Sequence, residues 1–274
     1  MVTLVPTPIG NLEDISFRSL EVLKKAQIIF CEDTRVTKKL LKLLTNKYSI
    51  NFSYEKIISF HSHNEYNILR TIDKDILKQK DVIYLSDAGM PCISDPGSSL
   101  IQYCITHNIS YDALPGANAL LTAFCMSGFQ ETTFSFFGFL PKDGKKRSEM
   151  LIKALNNEHI TILYESPHRL IKLLEELNKL DTNRIIFLVK ELTKLYQKIF
   201  KNSVSILYEE LKTTNIKGEW VVILDSKEKI GIPLELNDIE ELNIKPKEKA
   251  KLISKLTGRK IKDIYQELLD KIEL

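Results

Sequence analysis

The sequence predicts an α/β protein of two lobes with a cleft between them, carrying a small helical appendage at its C-terminus. Three observations support this. Short apolar runs alternate with amphipathic stretches through residues 1–228, the pattern of parallel strands joined by crossover helices. Leu114-Pro-Gly116 falls midway through that rhythm and reads as a hinge. After Leu224 the texture turns polar and acidic, then basic and helical. A chain of 274 residues has room for such lobes at roughly 150 residues per domain. The divisions expected are a lobe over 1–114, a second over 115–228, a linker over 229–244 and a basic helical hairpin over 245–274.

The elements follow in order. Met1-Val-Thr-Leu-Val5 is the first strand, and a helical pattern runs from Asp14 to Lys25. Gln27–Cys31 is the second strand, with a Lys/Leu-rich helix over Thr37–Leu44. Ile57–Phe60, Val82–Leu85 and Ser110–Leu114 continue the first lobe. Phe134–Phe137, Ile160–Tyr164, Arg184–Val189 and Trp220–Leu224 repeat the pattern in the second. In the tail a Thr257-Gly258 break separates two helices, and Ala250, Leu252, Ile253 and Leu256 are expected to pack on Ile261, Ile264, Tyr265, Leu268 and Leu269.

Composition narrows the function classes. Thirty-nine basic against thirty-six acidic residues give +3, which argues against a surface built wholly for nucleic acid but leaves room for a local basic patch. From Lys245 onward nine Lys or Arg face five Asp or Glu, so the tail carries +4 and the rest −1. That tail reads equally as a cap with a solvated basic face and as an arm touching phosphates. Cys31, Cys92, Cys104 and Cys125 have neither Cys-x-x-Cys nor zinc-ligand spacing, and are expected to be buried reduced thiols with no metal and no disulfide. No apolar run approaches the roughly 18 residues of a membrane helix, and the N-terminus lacks a signal-peptide pattern, so a cytoplasmic protein is expected.

Ligands of open α/β sheets collect beyond the carboxyl ends of strands, so the loops there are the candidates. Val5-Pro-Thr-Pro-Ile-Gly-Asn11 is stiffened by two prolines, with Gly10 allowing close backbone approach. Ser86-Asp-Ala-Gly-Met-Pro-Cys-Ile-Ser-Asp-Pro-Gly97 is poor material for regular structure and good material for a fixed, backbone-exposing loop. In it Asp87 can accept from ribose hydroxyls or an amine, and Ser94 or Asp95 can cap a helix beginning near Pro96. Asn118 opens a helix, and Gly218 precedes the last strand. Neither a Gly-x-Gly-x-x-Gly run nor a Walker sequence occurs, so an acidic loop of this kind suits a cationic, adenosine-bearing ligand such as S-adenosylmethionine better than a nucleotide phosphate. His61 and His63, two apart, are expected to point opposite ways on a strand and not to chelate. Arg35, Arg169, Lys190 and Lys194 at strand ends offer a basic interior to a cleft, with Glu32, Asp33, Glu65, Glu165 and Glu191 to orient them or act as a base.

These segments, taken together in order, resemble a known family. The set comprises Val5-Pro-Thr-Pro-Ile-Gly-Asn-Leu-Glu-Asp-Ile-Ser16, Glu32-Asp-Thr-Arg35, His63-Asn-Glu65, the 86–97 loop, Leu114-Pro-Gly116, Gly138-Phe-Leu-Pro141, Tyr164-Glu-Ser-Pro-His-Arg169, Glu191-Leu-Thr-Lys194 and Lys217-Gly-Glu219. It is similar to the small-subunit ribosomal RNA methyltransferase I family of the tetrapyrrole methylase superfamily, over residues 2–224, and the basic tail also resembles that family's.

The resemblance implies two α/β lobes holding S-adenosylmethionine between them in a homodimer, and 2′-O-methylation of a cytidine at the decoding centre of bacterial 16S rRNA, as naked rRNA or in the 30S particle. It implies a donor pocket of Pro8, Ile9, Asp87, Gly89, Met90, Ile93, Ser94, Asn118, Ala119, Tyr164 and Gly218. Arg35, His63, Arg169, Lys190, Lys194, Lys255, Arg259 and Lys260 would meet RNA, with Asp33, His61 and Glu165 as candidates for the base. The chain departs from the family pattern at Met90, commonly Thr, at Ala117-Asn118, and at Gln197 and Ser62, where acids are frequent. Two other readings stay open: a corrinoid or sirohaem-pathway C-methyltransferase sharing fold and donor, and a catalytically idle RNA-binding assembly module, which would bind ribosomes without the donor.

Overall fold

The computed structural model describes residues 1–226 and 235–270. Met1–Lys227 forms one compact unit and Glu228–Leu274 a second.

The first unit holds two sheets. Strands β1 (Val2–Val5), β2 (Ile28–Cys31), β3 (Lys56–Ser59), β4 (Val82–Leu85) and β5 (Tyr111–Ala113) make a parallel sheet in the order β3-β2-β4-β1-β5. The helices between them are α1 (Phe17–Lys25), α2 (Thr34–Tyr48), α3 (Glu65–Thr71), α4 (Lys74–Gln79) and α5 (Ser98–Thr106). β1, β2 and β4 are buried on both faces, as their continuous apolar runs require. Their side chains alternate between two cores: Val2, Leu4, Ile28, Phe30, Val82 and Tyr84 in one, Val5, Ile29, Cys31, Ile83 and Leu85 in the other. Helix α1 begins at Phe17 and not at Asp14, because the Ser16 side chain accepts from the Ser19 N–H and sets the boundary.

The second sheet contains β6 (Phe134–Phe139), β7 (Ile160–Glu165), β8 (Ile185–Lys190), β9 (Lys198–Ser203) and β10 (Trp220–Leu224), ordered β6-β7-β10-β8-β9. Helices α6 (Ala119–Ser127), α7 (Gly144–Leu155), α8 (Pro167–Leu180) and α9 (Val204–Lys212) accompany it. This sheet is mixed, which corrects the expectation of parallel strands throughout: β6–β7 is parallel, whereas β10 runs antiparallel to β7 and β8, and β9 antiparallel to β8. β9 has no counterpart among the predicted strands. As an edge strand of sequence Lys-Ile-Phe-Lys-Asn-Ser it is mostly exposed, so no continuous apolar run marks it.

The reversal of β10 matters for the site. Trp220, its first residue, pairs with Glu165 at the end of β7 and with Lys190 at the end of β8. Entry to β10 therefore sits where β7 and β8 exit.

Of the four cysteines, Cys31 and Cys104 are buried, but Cys92 is half-buried and Cys125 exposed. All four are free thiols. No helix among the described residues is long and apolar enough to cross a membrane.

In the second unit, α10 (Leu236–Glu241) lies where a linker was expected, while the linker's residues up to 234 fall outside the described ones. Helices α11 (Pro246–Thr257) and α12 (Ile261–Asp270) follow, with Gly258 ending α11 in the left-handed conformation at φ 72°. Ile239, Ala250, Ile253 and Ile264 form a small core with Tyr265 and Leu268 against it. Leu252, Leu256 and Ile261 are exposed instead of packed, and Ile239 of α10 joins the core in addition to the expected residues.

Candidate active site

The two proline- and glycine-rich loops of the first lobe are joined backbone to backbone. Thr7 N–H donates to Gly89 O and Gly89 N–H to Thr7 O, each at 3.0 Å. The Thr7 hydroxyl donates to Ser86 O (3.2 Å), and the Ser86 hydroxyl to Gly89 O (2.8 Å). Gly89 sits at φ +85°, in the region where a side chain is strained. The sheet thus presents a rigid rim beyond β1 and β4.

Beyond that rim lies a cavity of about 520 Å³, within the usual range of small-molecule sites. Nine of the expected donor-pocket residues line it: Ile9, Asp87, Gly89, Met90, Ile93, Ser94, Asn118, Ala119 and Tyr164. Pro8 and Gly218 do not, although their neighbours Ile9 and Glu219 do. The lining also includes Glu32, Asp95, Phe139 and Leu192, which were not expected in the donor pocket; they come from the ends of β2, β4, β6 and β8. A sequence signal existed for Asp95, in the Ser-Asp-Pro-Gly run, but pointed to helix capping. The cap of α5 is instead Gly97 at φ 124°, and no side chain caps it.

Electrostatics set this cavity apart. Five carboxylates line it, Glu32, Asp87, Asp95, Glu165 and Glu219, and among the described residues no Lys, Arg or His does. A pocket of that composition repels a phosphate and favours a cation. Burial pushes the Asp95 carboxyl up to about 7, with Glu32 and Asp87 adding repulsion. Burial also raises Asp87, which accepts the Asp33 N–H through Oδ1 (3.1 Å), and Glu32. Apolar groups complete the lining: Ile9, Met90, Ile93, Phe139 and Val221, with the Tyr164 ring edge-on to Phe139 at 5.6 Å. Tyr164 accepts the Leu120 N–H at 3.1 Å, and burial pushes its hydroxyl up to about 12, so it stays neutral. Asn118 accepts the Leu121 N–H (3.1 Å), as its reading as a helix opener requires.

The three candidate bases separate. Asp33 and His61 do not line the cavity. Asp33 grips Arg35 through both oxygens, with Nη2–Oδ2 at 2.6 Å, and that pairing holds its carboxyl down to about 2, too low for a base near neutrality. His61 and His63 lie in the turn after β3, not on it. Their rings meet at 5.9 Å, and the His63 N–H donates to His61 Nδ1 (3.3 Å). Glu165 does reach the cavity but is fully buried, with Arg169 Nη2 at 2.7 Å and Arg147 Nη1 at 3.9 Å. Burial pushes this carboxyl up and the two guanidiniums oppose it. Arg147, on α7, carries no motif, and sequence reasoning missed it.

The cations expected to meet RNA divide likewise. Arg35, His63, Lys255, Arg259 and Lys260 are exposed, Arg259 pairing with Glu267. Lys190 is corrected: it is 7% exposed, donates to Asn215 O (2.6 Å) and lies over the Trp220 ring, so the fold uses it internally. Arg169 is committed to Glu165 and to Leu140 O (2.9 Å). Lys194 bridges Glu191 and Glu219, both at 2.9 Å.

The tetrapyrrole (corrin/porphyrin) methylase family matches residues 1–207. A ribosomal RNA small subunit methyltransferase I of Campylobacter fetus is 47% identical over 98% of this chain and 100% of its own length. One of Helicobacter pylori strain J99 is 44% identical over 98% of each. This chain belongs to the ribosomal RNA small subunit methyltransferase I family, within the tetrapyrrole methylases. Among solved structures, a cobalt-precorrin-4 methyltransferase of cobalamin biosynthesis aligns with TM-score 0.58 at 13% identity, over 82% of this chain and 94% of that one. A uroporphyrin III C-methyltransferase from Thermus thermophilus aligns at 0.57 and 15%, over 82% and 96%. At such identities they show the tetrapyrrole methylase fold alone.

Members of the ribosomal RNA small subunit methyltransferase I family and of the tetrapyrrole methylases draw their methyl group from S-adenosylmethionine. The cavity fits that donor: its acids suit a sulfonium and an ammonium, and its apolar walls a purine. One wall depends on Gly218, at φ +121°, where an added Cβ would lie 2.5 Å from Glu191 Cγ. Glu191 cannot easily yield, since its Oε1 accepts from the Glu219 N–H and from Lys194 Nζ, both at 2.9 Å. Gly218→Ala is therefore expected to cost about 1–3 kcal/mol in urea unfolding and to weaken donor binding by displacing Glu219. Unchanged stability would refute this account of the turn.

Proposed function

We propose that this protein transfers the methyl group of S-adenosylmethionine to the 2′-oxygen of a cytidine ribose in small-subunit rRNA near the decoding centre. The observation that carries the reading is the cavity lined by five carboxylates and no cation, in a chain of the ribosomal RNA small subunit methyltransferase I family. Bound there, the donor supplies an already activated methyl group. The chain's own residues need mainly to orient it, admit one ribose and exclude water. Glu32 and Asp87 attract the cationic end, while Ile9, Met90, Phe139 and Tyr164 cover the base. The exposed Arg35 and His63, beyond β2 and β3, and the +4 tail with Lys255, Arg259 and Lys260 offer phosphate contacts. The same reading makes the substrate rRNA or the 30S particle, and the enzyme a cytoplasmic homodimer.

Mapping 2′-O-methyl groups on small-subunit rRNA tests this. Cells lacking the protein are expected to lose one methylated cytidine, and purified protein with S-adenosylmethionine to restore it. A map that is identical with and without the protein sinks the reading.

A further inference from the structure

Of the cavity's five carboxylates, four are engaged. Glu165 is held by Arg169 and Arg147, Glu219 by Lys194, Asp87 accepts the Asp33 N–H, and Glu32 accepts from the Asp87 backbone. Asp95 alone accepts no hydrogen bond among the described residues, and it has been released from the capping role that its sequence suggests. A second observation points at the same place. The Tyr84 hydroxyl, on a residue that is 0% exposed, has no hydrogen-bond partner among the described residues and feels the charges of Glu32, Asp95 and Asp87. It is a neutral phenol buried near the acids, although it is not among the residues that line the cavity.

We propose that Asp95 is the general base that takes the proton from the attacking ribose hydroxyl. This rests on the methyl-transfer reading above. The O–H bond breaks toward the Asp95 carboxylate as the oxygen bonds to the methyl carbon; the carbon–sulfur pair stays on sulfur, leaving a neutral thioether, and Asp95 later returns its proton to water. The groups facing Asp95 suit the task. Glu32 beyond β2 and Asp87 beyond β4 disfavour its anion, while Tyr84, Tyr164 and Cys92 remain neutral because burial raises all three. A carboxyl titrating near neutrality is matched to proton transfer at cellular pH, which the low-titrating Asp33 is not.

Asp95→Asn is the test, with thermal unfolding to check its fold and Asp95→Glu as the conservative partner. Asp95→Asn should bind S-adenosylhomocysteine and the 30S particle as the wild type does. Its single-turnover methyl transfer should fall by about 100-fold or more and lose the rising limb of the pH profile between pH 6 and 8, approximate bounds drawn from ordinary general-base behaviour. Asp95→Glu should recover part of the rate and that limb. Infrared difference titration of the ligand-free wild type should show a carboxylic-acid band lost near neutral pH and absent from Asp95→Asn, a readout that requires no turnover. A variant within about 3-fold of the wild-type rate, well under the usual effect of a general base, would overturn the proposal. So would lost donor affinity in Asp95→Asn, or a wild type with no such band. A wild type that methylates no rRNA refutes the underlying reading instead, and does so before any variant is compared.

Discussion

Asp87→Ala is expected to abolish measurable donor binding, with at least about 100-fold lost in calorimetric titration with S-adenosylhomocysteine, or roughly 2.7 kcal/mol. Asp87 stands at the exit of β4, half-buried on the cavity wall, its Oδ1 anchored by the Asp33 N–H. Its other oxygen accepts no hydrogen bond among the described residues and is free to take one from the donor. Removing the carboxylate takes away a charge-assisted acceptor and leaves the Asp33 N–H unpaired. Arg35→Ala provides the contrast. Arg35 is exposed and outside the cavity, so that variant should bind donor normally and lose about 10-fold or more in rRNA methylation through weakened phosphate contact. Wild-type donor affinity in Asp87→Ala would remove Asp87 from the site. Equal donor loss in both variants would mean that the Asp33–Arg35 pair shapes the pocket.

Arg147→Met should produce the largest loss of stability, about 3–5 kcal/mol by denaturant unfolding with an unchanged slope. Arg147 is 2% exposed. It pairs with Glu176 through Nε at 3.0 and 3.1 Å and Nη2 at 2.7 Å, and donates to Pro141 O at 3.0 Å. It also lies 3.9 Å from Glu165 Oε2, a buried atom with no hydrogen-bond partner among the described residues. Methionine fills much of the volume but strands Glu176 and leaves Glu165 with Arg169 alone. Arg147→Lys keeps the charge and loses the planar fork, so an intermediate cost is expected. A loss below about 1 kcal/mol for Arg147→Met would mean that the buried network is dispensable. Glu165 and its neighbours line the cavity, so the same variant should also loosen donor binding.

Local chemistry made much of this protein legible. The strands β1, β2 and β4 are buried on both faces, and such strands must be written as unbroken apolar runs. The loops after β1 and β4 need prolines and glycines to hold exposed backbone, and they were read directly. Asn118 was read as a helix opener because its amide caps α6. Strand direction left no such trace: β10 has the same apolar run whether it lies parallel or antiparallel. Edge strand β9 buries too little to leave one.

The sequence by itself determined the α/β class, the place of the loops that line the cavity, and the division of charge between a −1 body and a +4 tail. Only the tertiary structure decided which polar side chains are free. Lys190 and Arg169 look like cleft cations in sequence and are consumed by Asn215 and Glu165; Asp95 looks like a cap and stands open in the cavity. The physical reason is that a charge acts through its nearest partners. Several of those partners lie far along the chain, as Asn215 lies from Lys190 and Glu176 from Arg147, and only packing sets which of them come within a few ångströms.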